Sequence, residues 1–543
     1  MSSQAAIFPM SSLVTPMLTD MYQVSMAYAH WKNGKIDDEA TFDLFFRKPP
    51  FHGEYCIFAG SDEVVKFIAT YKFTNDDISY LKSISPEWEE EFFLWLGTIN
   101  CSKIKIYSVD EGSLVFPREP LIRVEGPLAI AQLLETTLLN LVNFPSLIAT
   151  NAARMRLAAG SDKTLLEFGL RRAQGPDGAV SASKYAFVGG FDGTSNVLAG
   201  KLTGITVKGT HAHAYVMSYT GLKDLKYTTI VDPKNKTKQI EFLEIVLDIS
   251  KKIQSALACK CNEGELAAFI SYAQASPTGF LALVDTYDTL QSGVPNFIAV
   301  AYALNVVGYV PLGIRLDSGD LAYLSKKVRE MYRSMDKLFG TSFLTSLQIV
   351  ASNDINEDVL LSLSSEGHEI NTFGIGTHLV TCQRQPALGC VFKLVEINGT
   401  PRIKLSQDVE KLVIPCKKST YRMYSETGHP LMDYMVRAEE RAPEVGKRIL
   451  CRHPFEEQKR AYVTPAKVEP LLKLIWDGEN GGIVRPSVTL SAARDTCKFQ
   501  LSTMRNDHIR PLNPTPYKVA VSQSLYDYMH ELWLLSAPIS DLK

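Results

Sequence analysis

The sequence lacks a cysteine pairing pattern, a long apolar run free of polar residues, a phosphate loop of the Walker type and an excess of charge of either sign. Its nine cysteines are odd in number and scattered, and the nearest two, Cys259 and Cys261, stand closer than zinc-ligand cysteines normally do, which fits reduced thiols in the cytosol. The stretch 1–17 has no basic segment followed by a continuous apolar run, so a short flexible tail is expected there and no secretion signal. Without secretion, the glycosylation-type triplets at Asn235 and Asn398 carry little meaning. Leu128 to Leu147, the most apolar stretch, is interrupted by Gln132, Glu135, Asn140, Asn143 and Pro145, which suits a buried helix and not a bilayer. The formal net charge of -2 gives no pull toward nucleic acid or a charged membrane surface, so any phosphate site has to be local. No repeats or heptads point to a structural role.

What is present is ordinary globular composition, 45% apolar and 21% charged over 543 residues, enough for two or three cores. Residues 18–160 mix strand-like text such as Thr41 to Phe46 with a helical patch around Pro86 to Phe93 and a helical segment Leu128 to Ala159 expected to bend or split near Pro145. An α+β domain with connecting helices is expected. From Lys163 a short apolar run, a polar cluster and a helical stretch recur, as in Thr164–Phe168, Leu281–Val284, Leu312–Ile314 and Leu347–Val350. Such units imply parallel strands over 161–395, as a barrel or as an open doubly wound sheet. Asn398-Gly399 marks a hairpin between Val391–Val395 and Arg402–Leu405. Ser425 to Lys447 is polar and loop-like, and the region 396–543 is expected to pack on the N-terminal domain.

Several polar clusters stand at the expected carboxyl ends of strands, where barrel enzymes carry their chemistry. Gly374-Ile375-Gly376-Thr377 suits backbone approach to a phosphate, or a tight turn. Arg315 and Asp317, two apart on an extended segment, lean to one side and could fork a carboxylate and accept sugar hydroxyls, or pair with each other while Ser318 or Asp320 caps a helix. His211 and His213 would share one side of a strand, suiting metal, base or phosphoryl chemistry, or ordinary hydrogen-bonded histidines. Thr19 or Asp20 reads as a helix cap with Tyr22 offering an aromatic face, and Gly189–Asn196 is glycine-rich enough to suggest close ligand approach or a flexible loop.

In this order the clusters resemble the nicotinate phosphoribosyltransferases, in their long animal and bacterial form, from about Leu18 to Lys404. The resemblance rests on LTDMYQVSMAY at Leu18, TLLEFGLRRAQGPDG at Thr164, GGFDGTSNVLAG at Gly189 and GTHAHAYV at Gly209. It continues with LVDTYDTLQSGVPNF at Leu283, IRLDSGDL at Ile314 and FGIGTHLVTC at Phe373.

The resemblance implies an irregular α/β barrel of the type II phosphoribosyltransferase kind joined to an α+β N-terminal domain, in a cytosolic homodimer with shared active sites. It implies nicotinate plus phosphoribosyl pyrophosphate giving nicotinate mononucleotide and pyrophosphate, the entry from nicotinic acid to NAD, with ATP as co-substrate and magnesium or manganese on the pyrophosphate. Nicotinate would contact Phe168, Arg171, Ser195, Thr210, Arg315 and a partner-chain Tyr22. Asp317, Asn353, Gly374, Gly376 and Thr377 would hold phosphoribosyl pyrophosphate, Asp285 would orient metal or ribose, and His213 would be the phosphorylated histidine. His211 has no assigned role, and Ala214 stands where the family usually has serine. The rivals are a nicotinamide or quinolinate enzyme of the same fold and a catalytically silent nucleotide-binding relative. Neutral Ser195, where nicotinamide enzymes have aspartate, favours the acid.

Overall fold

The recurring apolar runs after residue 160 fold as a parallel sheet, because each is short, apolar and followed by a helix that carries the chain back to the same end. The structure is a computed structural model that describes residues 8–405 and 411–536, in two units. One comprises Arg154–Ser183 and Phe191–Thr381; the other comprises the described residues up to Ala153, Lys184–Gly190 and those from Cys382 onward.

In the first of these units six strands lie in the order Leu281–Leu283, Gly313–Leu316, Gln348–Ala351, Thr372–Ile375, Thr164–Glu167 and Gly193–Thr194. Every ladder between them is parallel. Beyond Thr194 a single parallel bridge to Val207 continues the curve. The ladders stop there, and the Leu283 N–H on the opposite edge donates to His211 Nε2 at 3.3 Å. This is an irregular barrel and not an open doubly wound sheet.

The apolar helix Val294–Val307 packs against Phe242–Leu257 and Glu263–Ala275 and is buried along most of its length. Among the described residues, Thr289–Val307 is the helical stretch long and apolar enough to cross a membrane, and most of it is enclosed by its own unit.

The other unit holds two large, mainly antiparallel sheets and a two-stranded one, Cys56–Ile57 with Leu114–Val115. In a seven-stranded one, Glu39–Phe46 pairs with Cys390–Ile397 on one side and Ile122–Pro127 on the other, and Lys473–Asp477 adds beside Lys105–Ser108. Strand Cys390–Ile397 therefore belongs to this sheet, although the sequence reading carried the barrel to residue 395. Asn398 and Gly399, with φ of 48° and 68°, make the expected turn, but the returning strand is Thr400–Pro401 and not Arg402–Leu405.

Three further expectations change. Residues 1–7 of the expected tail lie outside the described residues, and 8–17 form turns in which Met10 N–H donates to Glu63 at 2.8 Å. The helical segment breaks at Leu134, between Leu128–Leu133 and Glu135–Ala159, while Pro145 sits inside the longer helix. Ser425 to Lys447 is not all loop: Pro430–Arg437 is a buried strand, whose polar residues find partners inside the sheet.

One such partner pair organises the second sheet. Arg422 and Asp433 are almost fully buried and joined twice, Nε to Oδ1 at 2.8 Å and Nη2 to Oδ2 at 2.7 Å. Arg422 Nη2 also donates to the Leu114 carbonyl at 2.9 Å, and Tyr517 donates to Asp433 at 3.2 Å. Burial, with Asp433 close by, pushes the neighbouring Glu119 carboxyl well above the usual carboxylate range. Arg422→Met keeps the volume but strands Asp433 without its cation, so about 3–5 kcal/mol of stability is lost. Urea unfolding measures this; a midpoint equal to that of the parent chain contradicts it.

Candidate active site

Because every strand of the barrel points the same way, the residues just past their carboxyl ends share one rim. Phe168 follows Thr164–Glu167, Ser195 follows Gly193–Thr194, Asp317 follows Gly313–Leu316 and Ser352 follows Gln348–Ala351. Together with Arg171, Thr210, Arg315, Asn353, Gly374, Gly376 and Thr377 they line a cavity of about 400 Å³. His211 lines it as well, so eleven residues singled out in the sequence are brought together. A larger hollow of about 620 Å³ in the other unit is lined by none of them.

His213 and Asp285 adjoin this cavity without lining it. His213 Nε2 lies 3.7 Å from Asp317 Oδ2 and 3.9 Å from Asp285 Oδ1, and its Nδ1 shares a 3.0 Å hydrogen bond with Thr286 Oγ1. Tyr22, on the first turn of helix Met21–Lys32 in the other unit, is 49% exposed and is not among the lining residues. Asp20 occupies the helix cap position, but its side chain makes no capping bond and accepts from Thr136 instead.

The two histidines do not share a strand face. Residues 209–212 are loop and His213 opens a short helix, so His211 turns inward to Leu283 while His213 turns to Thr286. The i, i+2 alternation of a strand does not apply because, among the described residues, the bridge of this segment lies at Val207, ahead of both histidines.

Arg315 donates to Thr210 Oγ1 at 2.5 Å, and its Nε is buried with no hydrogen-bond partner among the described residues. Burial pulls its pKa down, opposed by Asp317 and Asp285 and reinforced by Arg171, yet a guanidinium stays charged under such pressure. An unpaired, positive donor beside a second arginine is a ready carboxylate site. Asp317 accepts from Ser352 Oγ, and its N–H donates to Asp285 Oδ2 at 3.0 Å, which also accepts from Ser318 Oγ at 2.5 Å. Asp320, by contrast, is spent on capping helix Leu321–Phe339 through Tyr323 N–H.

Phe168 is half-buried, and Gly374 lies beneath its ring: a Cβ there would come within 2.3 Å of Phe168 Cδ2. Glycine at 374 therefore makes room for an aromatic platform. Past it, Thr377 Oγ1 accepts from Arg172 at 3.0 Å. Asn353 and Asp354 both hold left-handed backbone, φ 96° and 46°, a strain of roughly 1–3 kcal/mol each that clusters where loops meet ligands.

Sequence reasoning passed over Arg172, Thr286, Ser352 and Asp354, each next to a residue it had singled out, and Ser318, read there as a possible helix cap, donates to Asp285 instead. Glu167 was missed altogether. This buried carboxylate accepts from Gly169 N–H, from Ser183 Oγ at 2.7 Å and from Thr194 Oγ1 at 2.5 Å, tying together the two strand ends that present Phe168 and Ser195. An acid closing an apolar run is the signal that could have found it.

Known proteins match this chain closely. Family models for the nicotinate phosphoribosyltransferase N-terminal domain, the family proper and the C-terminal domain match residues 17–143, 303–432 and 417–529. Nicotinate phosphoribosyltransferase 2 of Arabidopsis thaliana is 54% identical over 540 residues, covering 98% of this chain and 97% of that protein. The nicotinate phosphoribosyltransferase of Dictyostelium discoideum is 50% identical over 549 residues, covering 100% of this chain and 92% of that protein. The crystal structure of human nicotinic acid phosphoribosyltransferase matches with a TM-score of 0.86 at 39% identity, covering 95% of this chain and 99% of that one. With the parallel barrel, the arginine-lined cavity on its rim and full-length likeness agreeing, the chain belongs to the nicotinate phosphoribosyltransferase family.

Proposed function

We propose that this chain transfers a phosphoribosyl group from phosphoribosyl pyrophosphate to nicotinate, giving nicotinate mononucleotide and pyrophosphate, with ATP hydrolysis coupled to synthesis. The observation that carries the reading is one cavity of about 400 Å³ lined by Arg315, Thr210, Phe168, Asp317 and the Gly374–Thr377 turn. Each is suited to a different part of the two substrates.

Arg315, with Arg171 and Thr210, holds the nicotinate carboxylate, and Phe168 stacks on the ring. Ser195 leaves that end of the cavity without the carboxylate that would repel an acid. Asp317 accepts from the ribose hydroxyls, while Asn353, Gly374, Gly376 and Thr377 cradle the sugar phosphate. In the transfer the bond from the ribose carbon to pyrophosphate breaks and the pyridine nitrogen bonds to that carbon. Positive charge develops on the sugar next to Asp317 and Asp285, and no protein nucleophile or proton is required.

His213 is the phosphoryl acceptor. In the tautomer that carries its proton on Nδ1, His213 donates to Thr286 Oγ1 and keeps the lone pair on Nε2, which takes the phosphoryl group as ADP leaves and later yields it to water. Phosphorylation next to Asp285 and Asp317 shifts substrate affinity.

Magnesium fits at the level of the donor set. Asp285 Oδ1 is buried without a hydrogen-bond partner and Asp317 is close by, but among the described residues no cluster of three or more acids, cysteines or histidines forms a metal cage. Two carboxylates completed by substrate phosphates are what magnesium commonly uses, and the ion would there neutralise the departing pyrophosphate. Manganese would suit the same oxygens. In the head-to-tail homodimer that the family resemblance implies, each chain would lend the exposed Tyr22 ring to the other's nicotinate.

Product analysis with nicotinate, nicotinamide and quinolinate, with and without ATP, tests the reading: nicotinate mononucleotide forms, and ATP raises its yield. Absence of any nucleotide product favours the silent relative instead. Arg315→Ala removes charge-assisted hydrogen bonds of about 2–3 kcal/mol, raising KM for nicotinate roughly 30- to 150-fold, and an unchanged KM refutes the assignment. Labelled ATP gives an acid-labile phosphohistidine that His213→Ala abolishes, leaving slow uncoupled synthesis; label that survives this change places the acceptor elsewhere. Gly374→Ala pushes the Phe168 ring aside and weakens nicotinate binding roughly tenfold, read as KM.

A further inference from the structure

We propose that His211 is the positioning residue that closes the barrel, its Nε2 taking the Leu283 N–H and so holding Thr210 against Arg315 and His213 against Asp285 and Asp317. This rests on the functional reading above for what Thr210 and His213 do.

The sheet ends on one side at Leu281–Leu283, which pairs only with Gly313–Leu316, and on the other at Gly193–Thr194 with its single bridge to Val207. An unpaired edge N–H in a buried place has to find an acceptor. Four residues after that bridge, His211 supplies one: Leu283 N–H donates to its Nε2 at 3.3 Å, a buried contact that spans the gap the ladders leave. The imidazole thus does what one backbone carbonyl of a further strand would do.

The ring is held for this task. His211 is 9% exposed, with Tyr272 edge-on at 4.8 Å, Tyr215 at 5.5 Å and Phe269 at 6.2 Å between ring centroids. To accept at Nε2 it has to be neutral with its proton on Nδ1, which is buried with no hydrogen-bond partner among the described residues, so on that side aromatic packing alone holds the ring. Burial first, with the nearby Arg315 and His213 adding to it, pulls its pKa down to about 4, so it stays an acceptor at neutral pH. Its two neighbours in the chain then face opposite tasks: Thr210 Oγ1 accepts from Arg315 at 2.5 Å, and His213, one residue beyond Ala212, meets Thr286 at 3.0 Å. No other hydrogen bond among those described ties the 209–212 loop to the strand Leu281–Leu283.

The test compares His211→Phe, which keeps the aromatic packing and removes the acceptor, with His211→Gln, whose amide oxygen can still accept. In the full chain, H211F raises KM for nicotinate and lowers phosphohistidine labelling from ATP, each roughly tenfold, while KM for phosphoribosyl pyrophosphate stays near the parent value and the melting temperature falls by a few degrees as the Leu283 N–H loses its acceptor. H211Q restores both readouts to within about threefold. H211F with parental KM and labelling overturns the proposal, as does H211Q as impaired as H211F. If H211F does not fold, the parent chain still decides: nitrogen NMR of labelled histidine shows His211 neutral with Nε2 unprotonated at pH 7, and a protonated Nε2 overturns the assignment. A parent chain without nicotinate-dependent turnover fails the functional reading itself, whereas an active parent and an unaffected H211F fail this inference alone.

Discussion

One constraint governs the site: six short strands run parallel, so the polar residue that ends each of them arrives at the same rim. A strand of three or four residues contributes little packing on its own, and the register between neighbours is set by apolar side chains such as Leu283, Ile314, Ile349 and Phe373, all buried. Close approach completes it. Gly313 has φ of 151°, and a Cβ there would meet the Gln348 carbonyl at 1.9 Å, so the strand that carries Arg315 can sit in register only with glycine at that position. The chemistry at residues 315 and 317 begins with this packing two residues earlier.

Charge on the rim is local, as a formal net charge of -2 over the whole chain requires. Arg171, Arg172 and Arg315 face the cavity together with Asp317 and Asp354, and Asp285 stands just behind. Asp354 lies 4.0 Å from Arg172, while Asp317 and Asp285 stand together beside Arg315. The acids are held by hydroxyl and backbone donors from Ser318, Ser352 and the Asp317 N–H, with Arg315 close enough for its charge to be felt by both. Such preorganised donors do not have to move during the reaction, which is the source of their value in transfer chemistry.

Much of this was legible in the sequence because barrel strands and their loops are written consecutively. Leu281–Leu283 with Asp285, Gly313–Leu316 with Asp317 and Thr372–Ile375 with Gly376 could each be read from one apolar run and the residues after it. Polar residues inside the barrel wall were harder. Glu167 reads as an ordinary acid until Ser183 and Thr194, distant in sequence, turn toward it. His211 reads as half of a histidine pair until the ladder is seen to stop at Val207. In the other unit, Pro430–Arg437 escaped notice because its polarity is neutralised by Arg422 on the neighbouring strand, a pairing that no local pattern encodes. The break at Leu134 in place of Pro145 has the same character, since a long helix accommodates one missing N–H when its surroundings are packed.

The proposed function requires the Arg315, Asp317 and Gly374–Thr377 groups to form a single site for both halves of the nucleotide product. A crystal structure of the chain soaked with nicotinate mononucleotide and pyrophosphate tests it most directly. The expected result is the pyridine carboxylate on Arg315 with the ring against Phe168, the ribose on Asp317 and the sugar phosphate on the Gly376–Thr377 turn. A nucleotide bound elsewhere, with this cavity empty, would contradict it.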